Sequence, residues 1–132
     1  MDEMYINQLR DLEDETNRIN AFLNSSPGRD PESLMDRLSA LSGFVARTGE
    51  MLADVEYILT VWRGEALSRL LKDDPKMPAG QQRVLVDAEC AYAIKVQRLI
   101  ERANRSATHA QEACITQVSY AKEEMSLARK GF

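Results

Sequence analysis

Residues 31–71 read PESLMDRLSALSGFVARTGEMLADVEYILTVWRGEALSRLL, and this stretch decides the fold. Leu34, Leu38, Leu41, Val45, Thr48, Leu52, Val55, Leu59, Trp62 and Ala66 fall on alternating steps of four and three, and eight of the ten are clearly hydrophobic. Such a rhythm keeps one stripe of a helix turned toward a neighbour, as in a heptad seam. Asp30 can cap the free amides at its start, and Pro31 at the first helical position loses no bond it could have made. Gly43, Gly49 and Gly64 each cost about 1 kcal/mol against alanine in a helix interior. They leave two readings open, a break near Gly43–Gly49 or small residues admitting a close neighbour. The unbroken phase of the seam favours a continuous helix.

The same rhythm extends outward in both directions. Tyr5, Leu9, Leu12, Thr16, Ile19 and Leu23 predict a first helix over about 2–23, ended by Asn24-Ser25-Ser26-Pro27-Gly28. Beyond residue 71, Lys72-Asp73-Asp74-Pro75-Lys76-Met77-Pro78-Ala79-Gly80 reads as a second turn. From 82 to 130 neither proline nor glycine occurs, which predicts one long third helix. The expected fold is therefore all-α, a single domain of one short and two long antiparallel helices over 2–23, 31–71 and 82–130. The helices would be about 30, 60 and 70 Å long. Folded back from its turn, the short helix should cover residues 31–51 of the second helix and lie beside 104–124 of the third. The far half would then be a bare hairpin.

That half carries the most apolar text in the chain. Tyr57, Ile58, Val61, Trp62, Leu67 and Leu70 face Val84, Leu85, Ile94 and Ile100, more surface than two helices can hide from each other. Burying each such side chain gains roughly 1.5–3 kcal/mol. Self-association is the expected outcome, a dimer before other assemblies, with two hairpins forming a four-helix core.

Charge narrows the classes of partner. The net charge of −4 opposes bulk attraction to nucleic acid or anionic membrane. It is unevenly placed, because residues 1–15 hold six carboxylates against Arg10 alone. Asp11, Glu13, Asp14 and Glu15 could meet a basic partner, although such runs are commonly the wet side of an amphipathic helix. Lys95, Arg98, Arg102 and Arg105 are spaced 3-4-3 on one side of the third helix. They form a ladder for nucleic-acid phosphates or an acidic protein, unless Glu101, Glu50, Asp54 and Glu56 neutralise it.

Catalysis has no candidate above background. The sole histidine, His109, sits one turn from Glu112, whereas helical metal centres gather several ligands from separate helices. Asp11 and Asp14 with Glu101 or Glu112 do not reproduce the paired acids of the all-helical nucleotide pyrophosphatases. No phosphate-binding glycine loop is present. No metal or cofactor is expected. Cys90 and Cys114, 24 residues apart on one continuous helix, would stand roughly 36 Å apart and could not bond. No apolar run approaches the roughly 20 residues of a membrane span. The first residues are acidic where a signal peptide is basic, so the expectation is a cytoplasmic protein that leaves membranes alone. Gly131-Phe132 could serve as a docking tail.

Ala88-Glu89-Cys90-Ala91-Tyr92, followed by Ser119-Tyr120-Ala121-Lys122-Glu123-Glu124-Met125, resembles a diffuse class of small helical proteins from bacteriophages and mobile elements. These are often encoded near single-strand annealing or replication genes. The resemblance spans about the last 45 residues and brings no functional residues with it. It implies an accessory role in recombination or replication, or inhibition of a host defence system through the acidic surface.

Overall fold

The computed structural model describes residues 2–131 and contains four α-helices: α1 (Glu3–Leu23), α2 (Pro31–Asp73), α3 (Ala79–Glu89) and α4 (Ala91–Arg129). Among the described residues there is no strand. Phe132, and with it the tip of the docking tail, lies outside them.

Side-chain caps set the starts of α1 and α2. The Asp2 carboxylate accepts from the Met4 amide at 3.0 Å, and that of Asp30 accepts from the Ser33 amide at 3.0 Å. Those bonds satisfy amides that have no partner inside the helix. α2 then runs unbroken through Gly43, Gly49 and Gly64 to Asp73. A Cβ placed on any of the three would meet nothing within 4 Å, so no part of the chain presses on them.

The expected third helix is two helices, and this corrects the count of three. α3 begins three residues early, because Pro78 ends the turn and its carbonyl accepts from the Gln82 amide at 3.0 Å. The chain bends at Cys90 (φ −92°, ψ 11°) although neither proline nor glycine is near. Val86, Cys90, Ala93, Val96 and Ile100, on both sides of this break, are all buried.

The second correction concerns α1. Its last turns do pack beside Leu34, Leu41, Phe44 and Cys114, within the expected 31–51 and 104–124, but its first half runs past them to residues 55–62 of α2 and 92–95 of α4. Arg37 Nη2 donates to the Leu23 carbonyl at 3.5 Å, at the end of α1. From there α1 runs antiparallel to α2, with Phe22 edge-on to Phe44 at 5.0 Å and Glu15 paired to Arg47. Near its start, Leu9 and Leu12 join Val55, Ile58, Leu59 and Trp62 in one core. On the other side Glu13 reaches Tyr92 and Lys95, so α1 is parallel to α4. The middle of the molecule is thus a three-helix bundle.

Among the described residues, its two fully buried threonine hydroxyls are both bonded. Thr16 Oγ1 donates to Leu12 O at 2.6 Å, and Thr48 Oγ1 donates to Phe44 O at 2.7 Å while accepting from Asn104 Nδ2 at 2.8 Å. These threonines are the interruptions in the two seams. At the proximal end, Leu34 and Leu41 pack with Cys114 and Val118 in a smaller core. Past Ala121, α4 continues with its residues exposed.

Candidate interaction surfaces

With α1 placed higher than expected, much of the predicted oligomer surface is interior. Ile58 is 2% exposed, Trp62 8%, and Ile100 fully buried. These three cannot form an interface between subunits, because they are packed together in the core of this chain. Val61, Leu70, Leu85 and Ile94 are half-buried, and Leu70 and Ile94 pack against the main core. Tyr57 (64% exposed), Val84 (68%) and Leu67 (36%) remain outside. Desolvation, and then Tyr57 beside it, hold the Tyr5 phenol above its ordinary range.

At the distal end only α2 and α3 pair, and a groove opens between them. Gly64 and Leu67 of α2 and Ala79 and Val86 of α3 form its apolar floor, and Arg63, Gln82, Arg83 and Asp87 its rim. Arg63 and Asp87 approach at 3.5 Å, while the outer pair Arg69–Glu89 is tighter at 2.8 Å. Of the sequence-predicted interface residues, Leu67 alone lines this groove. Gly64, Arg83 and Asp87 were missed, because apolar side chains alone were taken as marks of an interface. The available signal was the 83–87 spacing of opposite charges.

The acidic stretch divides. The Glu15 carboxylate takes a two-pronged contact from Arg47, Nε to Oε2 at 2.6 Å and Nη2 to Oε1 at 2.9 Å. That hydrogen bonding lowers the Glu15 pKa against the opposing effect of burial, and raises that of Arg47. Glu13 accepts from the Tyr92 hydroxyl at 3.2 Å and pairs with Lys95 at 3.1 Å. Burial first, and Glu13 second, raise the Tyr92 pKa. Glu13 and Glu15 therefore join helices of this chain, and Asp11 and Asp14 stay exposed.

The basic ladder divides in the same way. Lys95 is engaged by Glu13. Arg98, Arg102 and Arg105 are exposed, and among the described residues none has a carboxylate within 4 Å. Neutralisation across the hairpin does not occur: Glu50 pairs with Arg47 on the far side. His109 meets Glu112 at 3.8 Å with both side chains in water. Among the described residues no group of three or more histidine, cysteine or acidic side chains could hold a metal ion. Both cysteines are buried free thiols, and burial raises the pKa of Cys90. Among the described residues no helix is long and apolar enough to cross a membrane. Set against protein families, curated proteins and solved structures, the chain matches none of them significantly.

Proposed function

We propose that this chain is a non-catalytic helical interaction protein that works as a homo-oligomer, a dimer first, and docks a further protein through its charged faces. The observation that carries this reading is the distal hairpin. There α2 and α3 have no third helix over them, and Leu67 and Val84 stay in water. Removing such surface from water favours association by roughly 25 cal/mol per Å2 before the costs of binding. The resemblance of the α3–α4 text to small phage helical proteins supports placing it among phage or mobile-element accessory factors. Sedimentation equilibrium across the micromolar range tests the assembly. A dimer that forms with rising concentration is expected, and a monodisperse monomer throughout removes the reading.

A second reading rests on a separate observation, the three arginines of α4 that have no acidic partner. Arg98, Arg102 and Arg105 could each neutralise one phosphate of a single strand. Binding should then weaken with salt at a log–log slope of roughly −2. Arg98→Glu with Arg102→Glu should abolish it. No retention of single-stranded DNA by the wild-type chain at low salt would end this alternative.

A further inference from the structure

We infer that the groove between α2 and α3 receives the same groove of a second copy, with the two α3 helices antiparallel about a two-fold axis that passes the Arg83–Asp87 face midway between those two residues. This deepens the self-association reading above and rests on it. Three features of the groove lead there.

The first is its floor. Gly64 and Ala79 line the groove with Leu67 and Val86. A Cβ on Gly64 would meet nothing within 4 Å, so no side chain of the same chain fills the space. Small residues beside apolar ones allow a helix to come close.

The second is the pattern of charge on the rim. Arg83 and Asp87 are four residues apart, hence on one face of α3 and one turn from each other. When two copies of a helix run antiparallel about a two-fold axis, positions equidistant from the axis meet on the same side. With the axis at that midpoint, Arg83 of each copy stands opposite Asp87 of the other, giving two ion pairs from one repeated contact. Arg83 has no ion-pair partner among the described residues. The Arg63–Asp87 approach is 3.5 Å with both side chains about half exposed (47% and 48%), too weak to hold Asp87 from a second arginine. A polyanion would meet Asp87 and a basic partner would meet Arg63 and Arg83. A second copy satisfies both signs.

The third is size. The hairpin offers the 11 residues of α3 and the last turns of α2, a face at the small end of specific interfaces. A dimer dissociating at micromolar concentrations is the expected strength.

The test is a charge exchange read by sedimentation velocity. Arg83→Asp places four acids around the axis, and Asp87→Arg places four bases. Each variant alone should dimerise at least about tenfold more weakly than wild type. Mixed in equal amounts, the two should recover dimers, since every cross-pair is again opposite in sign. Gly64→Gln should lose the dimer while keeping its helical circular dichroism, because the added side chain meets open space within the subunit. Should Asp87→Arg lose helix through the broken Arg63 contact, Arg83→Asp and Gly64→Gln carry the test. A wild-type dimer unaffected by these variants, or no recovery on mixing, overturns the groove contact and leaves self-association standing elsewhere. A wild type that stays monomeric overturns both.

Discussion

The middle of the molecule and its distal hairpin share one seam on α2, yet they solve its burial differently. Between Phe44 and Trp62 the seam has two neighbours, α1 and α4, and the side chains flanking it are hidden as well as those on it. Ile58, off the 4-3 rhythm, is as buried as Leu59. Beyond Ala66 the seam has α3 alone, and Leu67, one position off the stripe, faces a groove. An apolar residue beside a seam is thus uninformative by itself. Its fate depends on whether the third helix reaches that far, and the loop at 24–30 decides where the third helix starts.

The strongest way to break this comparison is to remove the third helix from the middle. Leu9→Ala, at a fully buried site of α1, should cost about 2–5 kcal/mol in urea denaturation. Val84→Ala on the hairpin should stay within about 0.5 kcal/mol in dilute, monomeric protein. Equal losses at the two sites would erase the distinction. A smaller effect is expected at the polar layer: Asn104→Ala removes the donor to Thr48 but leaves the threonine bonded to Phe44 O, for about 1 kcal/mol.

The Glu15–Arg47 contact joins α1 to α2 and gives the middle a pH dependence. Its folded carboxyl pKa is lowered by the Arg47 hydrogen bonds. Its contribution is therefore present above the unfolded carboxyl range, near 4.3, and fades as pH falls through the lower folded value. Both side chains are partly in water, so the contribution is at most about 1 kcal/mol. Melting curves between neutral and acid pH should show a shallower loss for Glu15→Gln than for wild type. An identical acid loss in the two proteins would assign the effect to other carboxylates. The smallest expected change is a gain: Gly49→Ala, with nothing within 4 Å of the new methyl, should stabilise by up to about 1 kcal/mol.

Much of this was legible in the text of the chain. Asp30-Pro31 fixes the start of α2, and Asp74-Pro75 limits its end to within two residues. The seam, the all-helical class and the absence of strands follow from periodicity alone. The bend at Cys90 was not legible, because it has no breaker residue. Nor was the reach of α1, since a seven-residue loop can either fold back at once or run along the next helix. At the surfaces, the spacing of Lys95, Arg98, Arg102 and Arg105 found the ladder. It could not separate Lys95, drawn across to Glu13 of α1, from the three arginines that face water.

The two cysteines close off opposite ends of the packed interior, Cys90 at the elbow and Cys114 beside Leu34, where its thiol donates to the Leu34 carbonyl at 3.3 Å. Neither can meet an alkylating reagent until its own end loosens. The native chain therefore carries a pair of independent fraying gauges, and the order in which they are modified tells which tip of the rod breathes first.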